Sequence, residues 1–412
     1  MSNVVVQVGQ CGNQLGQHFW KQVLKDKQNN DSHGFVHYDG KFHSVNVDSE
    51  PKVVKRLLKD NKQSNFRKEN VILGKRGRGT NWALGYNGPK SGDDRDLLGI
   101  ATEAIRKEVE RCDSFSGIVM VHSISGGTGS GVGAHLSEIL RDEYPLAYQL
   151  SCVVAPHATG ESPLQHYNSL LCLSWLQRFS DSIMFFQNDD ILYRLNKRLK
   201  SDGRSVSFND MNLHIAACMA GVMLPVDSVT PKCGMSIGME PWEMIRSICP
   251  IPTTKFIHIN QLNKSKLSWD ELTSQVLHTV KRHDSAGKTF SSIANLVIAR
   301  GDTTRSFPGH MTSISQKVKA TYSAVTWNPF PVDFWIARHN SIGAKDSASV
   351  TIASNYSNVL DVLERTVRRS QQMYDAGAYL HWYWKHGLEK DVFESSFETI
   401  ETVIKNYKDA VS

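Results

Sequence analysis

The sequence has no apolar stretch long enough to cross a membrane and no cysteine pattern typical of a structural site. No uninterrupted apolar run approaches the roughly 18–20 residues of a membrane helix, so we expect no membrane insertion. The start has no basic segment followed by an apolar one, and we expect no signal peptide. The seven cysteines form no CxxC pair, and most lie in apolar stretches. This favours buried free thiols in a reducing compartment, the cytoplasm, over a disulfide or zinc framework.

Positive charge is in slight excess, and the excess is concentrated in one region. The 412 residues include 47 Lys and Arg against 41 Asp and Glu, and 40% are apolar, which excludes a disordered chain. The basic region Lys52–Arg78 is either a solvated helix face with its following loop or a contact for an acidic partner. Of the acidic partners we expect a protein surface and no nucleic acid. The cations concerned are Lys52, Lys55, Arg56, Lys59, Lys62, Arg67, Lys68, Lys75, Arg76 and Arg78.

Strand and helix patterns alternate through the first half of the chain. Short apolar runs such as Val4–Val8, Ile118–Val121 and Leu150–Ala155 predict strands buried on both faces, with helix-spaced apolar residues between them. The alternation predicts an α/β fold with a Rossmann-like parallel sheet. We predict four regions: a nucleotide-binding domain at 1–205, a central buried helix at 206–224, a second α/β domain at 225–355 and a C-terminal helical region at 356–412.

A glycine-rich segment follows one of the predicted strands and precedes a predicted helix. This segment places free backbone N–H groups beside a positive helix end, which favours a phosphate site. Its residues are Ser125, Gly126, Gly127, Thr128, Gly129, Ser130 and Gly131. A Walker loop is excluded because Val132 and Gly133 stand where Lys and Ser/Thr are required. A dinucleotide fingerprint is matched nominally by Gly129, Gly131 and Ala134. However, no acidic residue for a ribose follows the next strand.

The GGTGSG motif, with further segments in the same order, resembles the tubulin superfamily. The resemblance extends over nearly the whole chain. Within the family, the segments Arg106–Gly117, Gly160–Gln165, Ser207–Phe208 and Ser291–Ile298 resemble the δ-tubulins, and the chain's last residues lack the acidic extension of α- and β-tubulins. The segments that resemble the family as a whole are Gln10–Gln14, Asp48–Pro51, Gly79–Trp82, Tyr167–Asn168 and Tyr379–Tyr383.

The resemblance implies a GTP/GDP site at the carboxyl edge of the first sheet. Ser125–Gly131 would hold the phosphates, with Gln10, Cys11 and Gln14 nearby; Cys11 could instead be a small packing residue. Thr80 and Asn81 would lie at the terminal phosphate, although Thr80 replaces an asparagine of the family. Asp48 and Glu50 match the acids near Mg²⁺, which they would hold through water. As isolated acids they could equally cap a helix.

The same resemblance assigns a ribose and base site and an acid that acts on a neighbouring subunit. Glu161 would bind the ribose, Asn188 and Asn212 the guanine edge, and Phe208 would stack on the base; alone, Phe208 would be read as a core aromatic. Glu243 would activate the nucleotide of a neighbouring subunit, so that GTP hydrolysis is completed only across a subunit contact. The alternative for Glu243 is a plain exposed acid of a helix.

The resemblance implies a cytoskeletal function with other tubulins as partners. We expect a GTP-binding structural or regulatory component of centrioles, basal bodies and cilia, located in the cytoplasm at the centrosome or ciliary base. An α/β-like microtubule subunit or another divergent tubulin is the alternative. A dinucleotide-dependent oxidoreductase has only the GxGxxA match in its favour.

Overall fold

The strands of the molecule form one continuous sheet. The computed structural model describes residues 2–28, 34–52, 54–55, 65–89, 96–160, 162–199, 205–228, 242–344 and 347–412. Within these ranges the strands are β1 (Ser2–Val8), β2 (Ser44–Asp48), β3 (Val71–Leu73), β4 (Phe115–Ser123), β5 (Tyr148–Ala155), β6 (Ser182–Gln187), β7 (Asp227–Ser228), β8 (Phe256–Lys264), β9 (Ser292–Arg300), β10 (Val332–Ala337) and β11 (Ala348–Tyr356).

Helices cover both faces of this sheet. In the described part of the chain they are α1 (Gly9–Lys27), α2 (Trp82–Asn87), α3 (Leu97–Glu110), α4 (Gly133–Glu143), α5 (Gln165–Phe179), α6 (Asn188–Leu199), α7 (Phe208–Met223), α8 (Glu243–Ile248), α9 (Trp269–Leu277), α10 (Met311–Thr321), α11 (Leu360–Asp375), α12 (Leu380–Lys385) and α13 (Lys390–Val411). A π-helical turn, Thr128–Val132, leads into α4. None of these helices is long and apolar enough to cross a membrane.

The first half is a parallel sheet buried on both faces, as its continuous apolar runs predict. The strand order begins β3-β2-β1-β4-β5-β6, and all of these neighbours pair in parallel. Along β1 the side chains alternate between two cores. Val4, Val6 and Val8 pack with the core beneath α3 and α4, and Val5 packs with the core that contains residues of α1 and α7. The predicted α/β fold class is confirmed.

The second half extends the same sheet through a short junction. Strand β8 pairs in parallel with β6 through only two residue pairs, Ile183 with Phe256 and Met184 with Ile257. Beyond it the order is β11-β9-β10-β7, where β11 is antiparallel to both β8 and β9. The predicted boundaries of a second domain, at 225 and 355, stay a prediction.

The predicted central helix corresponds to α7, which is buried along most of its length. Its first turn has a capping box in which the Ser207 side chain accepts from the Asp210 N–H and the Asp210 side chain accepts from the Ser207 N–H. At its other end the buried Arg300 donates to the carbonyls of Gly221, Leu224 and Pro225. Because Arg300 satisfies carbonyls that end the helix, α7 is held firmly at both ends.

Two long C-terminal helices pack against the nucleotide-binding half. Helices α11 and α13 lie on α5, and their apolar side chains share one core with it. The hydroxyl of Tyr407, on α13, accepts from the Phe256 N–H at 3.0 Å and donates to Asn355 Oδ1 at 2.9 Å. The C-terminal region is therefore bonded to β8 and β11 as well as to α5.

Candidate functional site

One cleft opens where the parallel strands end. It has a volume of about 700 Å³, and residues at or just after the ends of β1, β2, β4, β5 and β6 line it. The predicted site residues that line it are Gln10, Cys11, Gln14, Asp48, Glu50, Thr80, Ser125, Gly126, Gly127, Thr128, Gly129, Asn188, Phe208 and Asn212. Further lining residues, which the sequence did not single out as ligands, include Gly9, Ser49, Arg78, Gly79, Ser123, Val154, Pro156, His157, Ser162 and Gln165.

The glycine segment forms the start of a helix at the middle of this cleft. Helical structure begins at Gly127 and continues through the π-helical turn into α4. The first bond back along the helix is from the Ser130 N–H to the Gly126 carbonyl, at 3.4 Å. The N–H groups before Ser130 have no partner within the helix and carry its positive end, which suits an anion. The predicted phosphate position thus has the geometry that a phosphate requires.

Most glycines of this segment are needed for packing and not for access. A Cβ on Gly127 would lie 2.5 Å from the Arg78 carbonyl oxygen, and one on Gly131 would lie 2.3 Å from the Trp82 carbonyl oxygen. At Gly126 an added Cβ would meet only Ser123 Oγ, at 3.6 Å, so the space there is that of the cleft. A side chain at Gly127 would therefore displace the Arg78–Asn81 loop.

Three predicted ligands stand behind the cleft and do not line it. Ser130 is fully buried and its hydroxyl donates to the Gly126 carbonyl. Gly131 packs against α2, as described above. Asn81 caps α2, since its side-chain oxygen accepts from the Leu84 N–H at 3.0 Å. These residues support the wall of the cleft, and their predicted contact with the nucleotide stays a prediction. A sequence motif does not distinguish a residue that lines the cleft from one that supports its wall, because the motif does not show which side of a loop is exposed.

A buried carboxyl group lies at the β2 end of the cleft. Asp48 is only 4% exposed, and its Oδ2 has no hydrogen-bond partner within the described part of the chain. Burial, with a contribution from the Glu50 charge, raises the pKa of the Asp48 carboxyl to about 6. Ser49 lies between the two acids, and its hydroxyl is 2.6 Å from Thr128 Oγ1 of the glycine segment. A divalent cation would satisfy this carboxylate, so the donor set fits Mg²⁺.

The opposite end of the cleft has an exposed aromatic ring and amide side chains. Phe208 is 64% exposed although it begins the buried helix α7, and Asn212 follows it by one helical turn. Asn188 begins α6 directly after β6. Beside them His157 Nδ1 lies 2.6 Å from Asp189 Oδ1. This arrangement offers a ring face and amide groups to a flat, polar ligand. The predicted ribose acid, Glu161, lies outside the described residues.

The start of α1 forms the floor between these two ends. Gln10, Cys11 and Gln14 all line the cleft, and Cys11 also packs against the core beneath α1. Burial raises the pKa of the Cys11 thiol to about 12, so it is neutral and not a nucleophile. The neighbouring Asn13 donates to the carbonyls of Gly9 and Val47 and fixes this turn against β2. Both interpretations of Cys11, as a lining residue and as a packing residue, fit its position.

A single buried asparagine ties two loops of the cleft together. Asn168 Nδ2 donates to the carbonyls of Thr80 and Ser125, both at 2.8 Å. Its Oδ1 accepts from the Trp82 N–H at 2.9 Å and from the Tyr383 hydroxyl at 2.8 Å. Sequence reasoning noticed Asn168 only as part of a motif, and nothing local in the sequence indicates these four bonds. Asn168 therefore positions the phosphate loops and connects them to α12.

The basic region does not form one outward face. Arg67 pairs with Asp39 at 2.7 Å, and Arg78 is 4% exposed and lines the cleft. This corrects the expectation for these two cations. Lys52, Lys55, Lys68, Lys75 and Arg76 are exposed. Arg56, Lys59 and Lys62 lie outside the described residues, so the proposed contact with an acidic surface stays a prediction.

Glu243 lies at the other edge of the sheet. It begins α8, and the preceding Trp242 stacks on Tyr148 with ring centroids 5.7 Å apart. Tyr148 is the first residue of β5, whereas the cleft is at the end of that strand, roughly 23 Å away at about 3.3 Å per residue. Glu243 therefore cannot reach the cleft of its own subunit. Whether it acts on a neighbour stays a prediction.

Comparison with known proteins relates the sequence of this chain to one family. Residues 2–196 match the model of the GTPase domain of the Tubulin/FtsZ family. The tubulin delta chains of Macaca fascicularis and Homo sapiens are 29% and 28% identical to the chain, over 99% of both proteins in each pair. The tubulin beta chain of Bombyx mori is 26% identical, over 98% of this chain and 93% of the relative. The chain is therefore similar to tubulins along almost its whole length, and its residues 2–196 match the GTPase domain of the Tubulin/FtsZ family.

Proposed function

We propose that the cleft binds GTP or GDP with Mg²⁺ and that the protein acts as a δ-type tubulin. The observation that carries the nucleotide assignment is the order of chemical groups along the cleft. Carboxylates stand at the β2 end, unpaired helix N–H groups in the middle, and an exposed aromatic ring with amides at the β6 end. A nucleotide laid along the sheet would meet these groups in the order metal, phosphates, ribose and base.

Each part of the cleft has a definite role in this proposal. The backbone of Ser125–Gly129 holds the phosphates, and Gln10 and Gln14 add amide groups beside them. Asp48 and Glu50 hold Mg²⁺ through water. The cation neutralises phosphate charge. Asn188 and Asn212 select guanine because an amide both donates and accepts hydrogen bonds, and Phe208 stacks on the base.

The nucleotide assignment is tested by identifying what the purified protein carries. Protein is denatured, and the released nucleotide is separated by ion-exchange chromatography; we expect GDP or GTP. After removal of this nucleotide, GTP, ATP and NAD are compared by thermal unfolding. A ligand present at 100 times its Kd stabilises the folded state by about 2.7 kcal/mol. We expect GTP to stabilise most. Stabilisation by NAD alone would contradict the proposal and favour an oxidoreductase.

Phe208 gives a sharper test of the base site. Phe208→Ala removes the stacking face, and a stacked base is worth about 1–3 kcal/mol, so we expect GTP affinity to fall roughly 10-fold or more. Tyr193→Ala is the matched control, since Tyr193 is also an exposed aromatic on a helix, α6, but does not line the cleft. Equal effects of the two substitutions would contradict the base site.

The metal assignment is tested at Asp48. Asp48→Asn removes the charge of a buried carboxylate whose Oδ2 has no hydrogen-bond partner within the described residues, so we expect the nucleotide-free protein to become more stable at pH 7.5, by about 1–3 kcal/mol. The same substitution should abolish the dependence of GTP affinity on Mg²⁺. Titration of GTP with and without Mg²⁺ measures this effect. An unchanged dependence would place the cation elsewhere.

The cellular role that we propose is structural or regulatory, at centrioles, basal bodies and cilia. It is supported by the similarity to tubulin delta chains along almost the whole chain. Other tubulins are the proposed partners. A fluorescently tagged protein is expected at centrioles and ciliary bases in a ciliated cell. Incorporation along the length of cytoplasmic microtubules would favour the alternative, an α/β-like polymer subunit.

A further inference from the structure

His122 is a buried histidine directly behind the helix start that would hold the phosphates. It is the last residue but one of β4 and is fully buried, whereas the next residue, Ser123, lines the cleft. His122 Nδ1 lies 3.2 Å from the Ser123 carbonyl oxygen. Because a carbonyl oxygen can only accept, Nδ1 carries the proton and donates it to this bond. The imidazole is therefore bonded to the peptide carbonyl at which β4 ends.

The other ring nitrogen makes this histidine a costly residue for its position. Nε2 is buried and has no hydrogen-bond partner within the described residues. Burial lowers the pKa of the His122 imidazole to about 4, against the effect of its bonds to the Ser123 and Gly129 backbone, so the ring is neutral at pH 7. A buried polar atom without a partner costs free energy. An apolar side chain of similar size would avoid this cost but could not donate to Ser123.

The Ser123 carbonyl and the imidazole form the surface against which the π-helical turn packs. A Cβ on Gly129, within the turn, would lie 3.0 Å from the Ser123 carbonyl oxygen. A Cβ on Gly133, which follows the turn, would lie 3.1 Å from His122 Nδ1. The Gly133 N–H bonds back to the Thr128 carbonyl and so closes the turn. The turn therefore contacts His122, or the carbonyl to which His122 is bonded, at two points.

A π-helical turn depends on its surroundings for its shape. Its hydrogen bonds span five residues instead of four, and such turns are rare and occur mostly singly, often at functional sites. Relaxation of the turn to an α-helix would shift the residues before it by about one helical position, roughly 1.5 Å along the axis and 100° around it. The N–H groups of Gly127, Thr128 and Gly129 would then change their direction relative to the cleft.

We propose that His122 is a positioning residue for phosphate binding, which holds the π-helical turn in place through its bond to the Ser123 carbonyl and its packing against Gly133. This inference rests on the proposed nucleotide function. His122 does not line the cleft, so it acts through the backbone of the turn. It should therefore affect the binding of every ligand that carries phosphates there, and not that of a ligand with only a base and a sugar.

The test uses two substitutions that separate the donated bond from packing. His122→Leu keeps a similar volume and removes both the donor and the unpartnered nitrogen. We expect a protein no less stable than wild type that binds GTP and GDP roughly 2- to 10-fold more weakly, the effect of one lost hydrogen bond. His122→Asn is smaller but keeps an N–H donor near the position of Nδ1. We expect it to be less stable than wild type and to bind both nucleotides normally.

Two controls accompany these variants. Guanosine has no phosphate and should bind wild type, His122→Leu and His122→Asn equally. His43→Leu removes another buried histidine, whose Nδ1 lies 3.0 Å from Glu108 Oε1 and which does not line the cleft. It should lower stability, because the buried Glu108 carboxylate loses a partner, and leave GTP affinity unchanged. Thermal unfolding and calorimetric titration of nucleotide-stripped proteins measure both properties.

The outcomes separate this inference from the proposed function. Wild-type protein that binds neither GTP nor GDP would overturn the proposed function itself. If wild type binds them, an unchanged affinity in His122→Leu, an equal loss for guanosine, or an equal loss in His122→Asn would overturn the role of His122 alone. If His122→Leu does not fold, His122→Ala replaces it, because alanine cannot overfill the site. Equal nucleotide affinities of His122→Ala and His122→Asn would then overturn the inference, since only the asparagine keeps the donor.

Discussion

His122 is a fully buried histidine next to the cleft-lining Ser123. Burial lowers the pKa of its imidazole to about 4, and its Nε2 has no hydrogen-bond partner within the described residues. The folded state therefore holds His122 neutral, whereas the unfolded chain protonates it near pH 6.5. Its contribution to stability is fully present above that pH and is lost as the pH falls toward 4.

We expect the free energy of unfolding to decrease by up to about 3 kcal/mol through this group between pH 6.5 and 4. His122→Gln should flatten that part of the profile relative to wild type. His283→Gln, at an exposed histidine, is the control and should leave the profile unchanged. Urea unfolding at several pH values measures the difference, and parallel profiles for wild type and His122→Gln would contradict the prediction.

Thr80 is a strained residue in the loop that carries Arg78. Its φ is +51°, a conformation in which a β-branched side chain is crowded and asparagine is tolerated better. Thr80→Asn should stabilise the protein by about 1 kcal/mol. Lys266→Asn, at a φ of +62° outside the cleft, should stabilise it similarly but leave GTP affinity unchanged. Thermal unfolding measures both variants. A Thr80→Asn variant that is no more stable than wild type would contradict the prediction that Thr80 is strained.

At the scale of elements, α12 reaches the phosphate loops through one hydroxyl group. Tyr383 donates to Asn168 Oδ1 at 2.8 Å, and Asn168 holds the loops of Thr80 and Ser125. Tyr383→Phe removes that bond with little change in packing. We expect a loss of about 0.5–1.5 kcal/mol in stability and a several-fold loss in GTP affinity.

Tyr167→Phe is the control for this prediction. Tyr167 packs edge-on against Tyr383, but its hydroxyl donates to the Ala378 carbonyl and not to Asn168. It should reduce stability by a similar amount and leave GTP affinity unchanged. Calorimetric titration of both variants tests the coupling, and equal losses of affinity would indicate a general packing effect.

The elements that sequence predicts well are those whose burial is periodic or continuous. The runs in β1, β4 and β5 are buried on both faces, and their apolar residues are contiguous. Helix α5 was missed because it is buried on nearly all sides, which removes the polar face that marks a helix. Strand β3, with three residues, is too short to show a pattern. Arg78 was grouped with exposed cations because charge is visible in a sequence and burial is not.

At the scale of the whole molecule, the cleft and Glu243 lie at opposite edges of one sheet. A lone subunit should therefore bind GTP but hydrolyse it very slowly, because among its described residues the two proposed metal ligands, Asp48 and Glu50, are the only carboxylates that line the cleft. In a head-to-tail pair, the Glu243 edge of one subunit would face the cleft of the next. Correctly placed acid–base help accelerates a reaction by roughly 10²–10⁴-fold.

Glu243→Gln should leave GTP affinity unchanged and suppress turnover only in an assembled form. Phosphate release is measured for wild type and variant, alone and with α/β-tubulin. Glu389→Gln, at the exposed residue before α13, is the control. Fast phosphate release by the isolated wild-type subunit would rule out a role of Glu243 on a neighbouring subunit. Equal phosphate release by the assembled wild type and the assembled Glu243→Gln variant would also rule it out.

The junction between β6 and β8 also determines how the molecule would respond to a mechanical load. Only two residue pairs join the halves of the sheet there, whereas six join β5 to β6. A force pulling the two halves apart would act on this short ladder and on α13, which packs on α5 and is bonded to β8 and β11 through the Tyr407 hydroxyl. The core that α1 and α7 share with strands of both halves would oppose this opening. In a subunit held between neighbours, the load of the assembly would therefore be concentrated at this seam.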